Sequence, residues 1–474
     1  MSAQEYDVIV IGAGPVGENV ADRAVQGGLT TVIVEAELVG GECSYWACMP
    51  SKALLRPSEA LAAARAVAGS AEAITGELDV AAVLRRRTEF THNWDDAGQV
   101  GWLDSAGIDL VRGHGRISAP KEVTVTSDDG TVTVLTARHA VAVCTGTSAL
   151  IPDVPGLAEI SPWTSREATS ADHVPASLTV IGGGVVGVEM ATLYAALGSQ
   201  VTMIAPSGIL PRMESFVGER LSDALREAGV VFANSRPASA HLGVEGRTVV
   251  LADGTEITSE EILVATGRRP RTSDLGLTAL GLSGVSDDDW IPVDDTLRVA
   301  DTDWLYAVGD VNHRVLLTHQ GKYQARAAGD VIAARAHGRP VDDAAWGTHV
   351  ATADHAAVPQ VVFSHPPVGS VGLTADEAER AGMRTRVVDY DLGSVAGAAT
   401  FADGYAGHAR MVVDEDRGVI VGATLMGPGV EEMVHAATVA IVGEVPLTRL
   451  WHAVPSYPTI SEVWLRLLEG YGRP

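Results

Sequence analysis

"YDVIVIGAGPVGENVADRA" (residues 6–24) joins an apolar, β-branched run to a helix-forming run through Gly12, Gly14 and Gly17. "TTVIVEAE" (30–37) follows as a second strand ending at Glu35, 23 residues after Gly12. This is the spacing of a dinucleotide-binding βαβ unit. One glycine makes the tight turn, one lets a pyrophosphate approach the backbone, one lets helix and strand pack closely, and the acid takes a ribose hydroxyl pair. A glycine turn with a purely structural purpose is the alternative, but strand, helix and acid all stand at the required offsets. The pattern recurs in "SLTVIGGGVVGVEMATLYAALGSQVTMIAPS" (177–207), with Gly182, Gly184 and Gly187 between strand and helix. Two units imply two dinucleotides. The second has no acid: its strand "QVTMI" runs into Ala205, so nothing repels a 2′-phosphate, and Arg212 is close enough in sequence to pair with one. NAD(P)H is therefore expected there, with NADPH favoured. The alternative is that Arg212 is an ordinary surface residue and either nucleotide is accepted.

The rest of the composition narrows the class. Of 474 residues, 46% are hydrophobic and no apolar run reaches the length of a membrane span. Lys plus Arg number 34 against 60 Asp plus Glu, a net charge of −26, which opposes binding to nucleic acid. "MSAQEYDVIVIGAG" enters a strand almost at once with no basic segment ahead of it, unlike a secretory signal. With only three cysteines, this places the expected location in the cytoplasm, where a disulfide is more often catalytic than structural.

Two of those cysteines lie in "GGECSYWACMPSKALLRP" (40–57), as Cys43 and Cys48. Cys144 stands alone in an apolar run, so the paired ligand sets of a structural zinc site are missing. A disulfide sets a condition. Five residues of regular helix rise about 7.5 Å, whereas bridged Cα atoms rarely lie more than about 7 Å apart. One cysteine must therefore sit on a distorted turn or outside the helix. Pro50 suits a first helical turn, so a helix is expected to begin near Cys48 with Cys43 on its lead-in. There the thiol of Cys48 would be acidified. Two unrelated buried thiols remain the other reading of this stretch taken alone.

With these elements together, the chain resembles the pyridine nucleotide-disulfide oxidoreductases, the flavoprotein group of dihydrolipoyl dehydrogenase, glutathione reductase and mercuric reductase. The likeness covers nearly the whole length, and its specific parts are the paired fingerprints and the "GGECSYWACMPSK" motif. It implies a redox-active Cys43–Cys48 disulfide, with Cys48 as the flavin-side thiolate and Cys43 as the exchanging thiol. Lys52 would be the lysine near the flavin and Glu189 its carboxylate partner. "VAVCTGT" (Thr145, Gly146) and "ILVATGRRP" (Gly267) resemble the segments where the chain crosses between nucleotide domains. "LYAVGDVNH" resembles the strand whose Asp310 holds the FAD ribityl chain. "LLTHQGKYQARAAG" (Thr318) resembles the helix whose N-terminus faces the flavin, and Gly115 falls in the same cofactor set. "VVFSHPPVGSVGLT" resembles the opening of the interface domain. The expected architecture is α/β, with two Rossmann-like dinucleotide-binding domains and a C-terminal α+β interface domain. Residues 1–152 and 272–348 would bind FAD, 153–271 would bind NAD(P)H, and 349–474 would form a homodimer interface.

The resemblance breaks at one place. Disulfide-handling members use a His-Glu pair from the partner subunit, in a segment of the form His-Pro-Thr-x-Ser-Glu. Here "HAVPSYPTISEVWLRLLEG" keeps the frame from Pro458 to Glu462 but has Tyr457 in the histidine position. His452, five residues earlier, is the alternative base, but it reads best as an ordinary surface or interface histidine. Mercuric reductases also lack the histidine but add a vicinal cysteine pair near the C-terminus, and "LLEGYGRP" contains none. "SYWA" replaces the small aliphatic spacer usual in lipoamide enzymes, and Tyr45 and Trp46 could offer a stacking surface or simply pack. The expected activity is NAD(P)H oxidation, through FAD and the cysteine pair, with a quinone, a metal species or an unusual disulfide as acceptor. A divergent dihydrolipoyl dehydrogenase is the alternative, and a non-catalytic NAD(P)H sensor is disfavoured by the redox pair.

Overall fold

The computed structural model describes residues 4–473. The chain divides into two compact units, one formed by residues up to 51, 88–150 and 268–354, the other by 52–87, 151–267 and 355 onward.

The first unit is built on β1 (Gln4–Ile11), whose Val8–Ile11 run is buried throughout. Such a run requires cover on both faces, which parallel sheets with flanking helices provide. β1 pairs in parallel with β2 (Thr31–Glu35), through Val8 with Thr31 up to Ile11 with Val34. On its other edge it pairs with Val132–Val143, again in parallel. Outside β2 lies Asp109–Arg112, and beyond Val132–Val143 come the antiparallel strands Glu122–Thr126 and His114–Ala119. Leu305–Ala307 also joins Val132–Val143 in parallel. Helix α1 (Pro15–Gln26) has Pro15 in its first turn and buries Gly17, Val20, Ala21 and Ala24. It packs against the helix Thr318–Ala336, where small residues permit close approach: a Cβ on Gly321 would lie 2.6 Å from Val16 Cγ2.

Two short elements follow β2. Helix α2 (Gly41–Tyr45) ends at Trp46, and α3 (Cys48–Arg65) begins two residues later. The expected helix start at Cys48 is therefore present. Cys43 lies not on an extended lead-in but on its own short helical turn, with the break at Trp46–Ala47.

In the second unit a parallel sheet has the order Val231–Ala233, Gln200–Ile204, Ser177–Ile181, Glu261–Val264. The helix Val185–Ala196 follows Ser177–Ile181 just as α1 follows β1. A three-stranded antiparallel sheet, Pro237–Leu242, Arg247–Leu251 and Glu256–Ser259, is inserted before Glu261. The C-terminal part is a five-stranded antiparallel sheet centred on Val419–Met426, every residue of which is buried. One apolar core joins Leu54 and Leu55 of α3, Leu193 and Met203 of the nucleotide-type fold, and Val362 and Met426 of the antiparallel sheet. Among the described residues, no helix is long and apolar enough to cross a membrane.

Candidate active site

Both glycine turns do what their spacing predicts. Gly12 has φ +101°, and a Cβ there would lie 2.6 Å from the Cys144 carbonyl oxygen. A Cβ on Gly17 would come within 1.9 Å of the Gly12 oxygen, while one on Gly14 would meet nothing within 4 Å. The first and third glycines are thus enforced by packing, and the second leaves an open cradle before a helix N-terminus, where an anion is favoured. The other unit repeats this: Gly182 has φ +121°, a Cβ on Gly187 would sit 2.1 Å from the Gly182 oxygen, and Gly184 faces open space.

The Gly14 cradle opens into a cavity of about 480 Å³ in the first unit. Glu35 lines it, with Oε2 accepting the Ala13 N–H at 2.7 Å and Oε1 the Glu37 N–H at 2.7 Å. These bonds fix the carboxylate at the glycine turn, although burial pushes its pKa upward. Gly115, Gly146 and Asp310 also line the cavity. A side chain at position 115 would press on Val34 at 3.1 Å. Asp310 Oδ2 accepts the Thr147 hydroxyl at 2.7 Å, and Arg268 Nε donates to the same hydroxyl at 2.5 Å. Burial raises the Asp310 pKa, with Thr147 and Arg268 pulling the other way. Thr145 Oγ1 is buried with no partner. An open phosphate cradle, a fastened ribose-type acid, a shielded aspartate and an orphaned hydroxyl together fit a flavin dinucleotide.

Cys43 lines the same cavity. Cys48 Sγ lies 3.2 Å from Thr318 Oγ1, at the first residue of the 19-residue helix Thr318–Ala336. The positive end of that helix favours a thiolate. Cys43 is the opposite case: its hydrogen bond with Cys48, then burial, pushes its thiol far up, while Thr318 and Lys322 pull it down. The Cys48 sulfur is the one placed against Thr318 at the helix terminus. Cys144 is buried and its thiol is pushed up by burial alone.

In the second unit Lys52 Nζ lies 2.7 Å from Glu189 Oε2 and 4.7 Å above the Phe363 ring. Glu189 is buried, and its Oε1 accepts the Phe363 N–H at 3.1 Å. Gly267 closes the Thr-Gly segment at a positive φ of 144°. Arg212 is exposed after Ala205, which is buried at the strand end.

The C-terminal segment is arranged differently. Tyr457 is 77% exposed. Glu462 is buried, its Oε1 takes the Arg466 guanidinium at 2.6 Å, and its Oε2 has no partner. His452 is exposed. Of the two readings of Tyr45 the structure favours packing: it is 2% exposed, and its hydroxyl donates to Gln99 Oε1 at 2.6 Å. Trp46 is half-buried. Thr147, Arg268 and Phe363 escaped the sequence reading because each acquires its place through a contact far away in the chain.

A family profile described as "Pyridine nucleotide-disulphide oxidoreductase" matches residues 6–329, and the dimerisation-domain profile of the same family matches 358–467. The dihydrolipoyl dehydrogenase of Halobacterium salinarum is 31% identical over 98% of this chain and 95% of its own length. The mercuric reductase of Acidithiobacillus ferrooxidans is 30% identical over 97% and 81%. The fold matches that of the HOCl-induced flavoprotein disulfide reductase RclA from Escherichia coli, with a TM-score of 0.83 at 22% identity over 98% of this chain and 99% of the other. LpdA from Mycobacterium tuberculosis gives 0.81 at 23% over 98% and 99%. With both glycine cradles, the cysteine pair and these matches in place, the chain belongs to the FAD-dependent pyridine nucleotide-disulfide oxidoreductases.

Proposed function

We propose that this enzyme takes electrons from NAD(P)H, NADPH being the better donor, and passes them through the Cys43–Cys48 pair to a quinone, a metal species or an unusual disulfide. The observation that carries this reading is a close cysteine couple, with Cys48 against Thr318, together with a C-terminal segment that has tyrosine in the histidine position. Tyr457 stands exposed in its place, and Glu462 is engaged by Arg466. When bound, the two cofactors supply the hydride and two-electron chemistry. The protein's part is to orient them and to manage charge. Cys48, against Thr318 and the helix terminus, is the flavin-side thiolate, and Cys43 is the exchanging thiol. Gly12, Gly14, Gly17, Glu35, Gly115, Thr145, Gly146, Asp310 and Thr318 hold FAD within residues 1–152 and 272–348. Gly182, Gly184, Gly187, Gly267 and Arg212 hold the nicotinamide nucleotide within 153–271, and the Lys52–Glu189 ion pair is the lysine–carboxylate pair assigned to the flavin. Residues 349–474 make the interface of a homodimer working in the cytoplasm.

A second reading, a divergent dihydrolipoyl dehydrogenase, is favoured by the names of several relatives at about 30% identity. A steady-state screen of purified protein separates the two, with both nucleotides against quinones, metal ions, lipoamide and low-molecular-weight disulfides. Quinone or metal reduction well above lipoamide turnover supports the first reading, and the reverse order overturns it. Anaerobic NAD(P)H should also produce a long-wavelength thiolate–flavin band that Cys48→Ser removes while FAD stays bound. A variant that kept the band would exclude Cys48 as the flavin-side sulfur.

A further inference from the structure

With tyrosine at position 457 in place of histidine, the second proton of the two-electron-reduced enzyme needs another holder. Two charged side chains stand one helical turn from residues beside the cysteine segment: Glu18 from Gly14, which abuts α2, and Lys322 from Thr318, which touches Cys48. On α1, Gly14 abuts α2: a Cβ on Gly41 would be 2.9 Å from Gly14 Cα. Glu18 lies four residues on, on the same face, its N–H bonded to the Gly14 carbonyl at 3.1 Å. That face runs beside the turn carrying Cys43 and Tyr45. On the helix Thr318–Ala336, Thr318 touches Cys48, and Lys322 is one turn on. Val16 against Gly321 brings these two helices together. Glu18 Oε1 is buried with no partner.

We propose that Glu18, biased by Lys322, stores the second proton of the reduced Cys43–Cys48 pair and gives it up as the acceptor is reduced. This inference rests on the function proposed above. Glu18 acts through the cysteines and does not touch the acceptor, so it is a positioning residue for charge. In the reductive half, hydride and the disulfide give one thiol, at Cys43, and one thiolate, at Cys48, while a proton from solvent converts the Glu18 carboxylate to the acid. In the oxidative half the two sulfurs surrender two electrons and close their bond. The Cys43 thiol and the Glu18 acid each surrender a proton, so a quinone leaves as hydroquinone, or a disulfide as two thiols.

The electrostatics run in the required direction. Burial raises the Glu18 carboxyl to about 7, the Lys322 ammonium pulls it down, and the Glu35 carboxylate pushes it up. The Tyr45 phenol, raised to about 12 in part by Glu18, stays neutral beside it. Lys322 also pulls down the Cys43 thiol, so one cation acts on both groups. A new thiolate at Cys48 adds a like charge and raises the carboxyl further, which couples proton uptake to reduction.

Proton uptake measured with an indicator dye, on anaerobic reduction of the FAD-loaded enzyme by one equivalent of NAD(P)H, tests this. Near pH 8 the wild type should take up about one proton per two electrons and Glu18→Gln much less, while Glu18→Asp should retain uptake. Lys322→Met should move the uptake window to higher pH. The inference is overturned if the long-wavelength band forms normally and Glu18→Gln takes up as much as wild type, or if Lys322→Met leaves the window in place. Absence of the band in wild type, with the uptake difference intact, instead overturns the functional reading.

Discussion

The proposed proton management turns on two residues, Tyr457 and Glu18. A phenol hydroxyl offers no basic nitrogen with which to take a proton from an incoming dithiol. A positioned base is worth about 10²- to 10⁴-fold in rate, so dihydrolipoamide oxidation should be slower than in histidine-bearing relatives by a factor in that range. Quinone reduction requires no base facing the substrate. Tyr457→His, next to Glu462, should therefore raise dithiol turnover and leave quinone reduction nearly unchanged in parallel steady-state assays. Loss of quinone reduction in Tyr457→Phe would assign the phenol chemistry that this reading denies it. Glu18 has a stability signature as well. Its folded pKa of about 7 lies above the ordinary 4.5, so the folded state holds the extra proton between those values. Stability then falls as pH rises through that window, by up to ~3 kcal/mol for one such group. Denaturant titrations at pH 5 and pH 8 should show this fall in the wild type and a reduced fall in Glu18→Gln. Equal slopes would mean the carboxyl titrates normally.

The βαβ turns make a separable prediction. At Gly17 an added methyl would collide with a backbone oxygen at 1.9 Å, so Gly17→Ala should cost more than the ~1–3 kcal/mol of ordinary core overpacking. Gly14→Ala meets no protein atom within 4 Å and should fold normally while losing FAD affinity. Thermal unfolding and flavin content, measured together, distinguish these outcomes. At the second turn, Gly184→Ala should raise the KM for nucleotide with flavin retained, and Gly187→Ala should destabilise the fold. These elements were legible because their constraints are local: a strand, a turn and a helix fix Gly12, Gly14, Gly17 and Glu35 within 24 residues. The break between α2 and α3 was legible for the same reason, since disulfide geometry forbids an uninterrupted helix through both cysteines. Tyr45 was left between stacking and packing because the two look alike in sequence until Gln99, 54 residues away, supplies its partner. Glu18 left no sequence signal: an acid in a first helical turn is ordinary, and only α2 and Lys322 give it a purpose.

At the scale of the molecule, charge and exposed apolar surface oppose each other. Each chain carries −26, so two copies repel. Yet the dimerisation-domain match over 358–467 includes Val439 at 56%, Val454 at 83% and Tyr457 at 77% exposure. Large apolar side chains this open within one domain favour cover by a second copy. Screening decides how strongly repulsion weakens association: the Debye length shrinks from about 30 Å at 0.01 M salt to about 8 Å at 0.15 M. Light scattering at micromolar concentration and physiological salt should therefore give twice 49.3 kDa, and lowering the salt should weaken the dimer. Val454→Glu should shift the mass toward that of one chain by placing another negative charge on this apolar surface, with FAD content unchanged. If the wild type is monomeric at physiological salt, Tyr457 and Glu462 have no partner's cysteines to serve, and the rate differences expected of Tyr457→His vanish with the dimer.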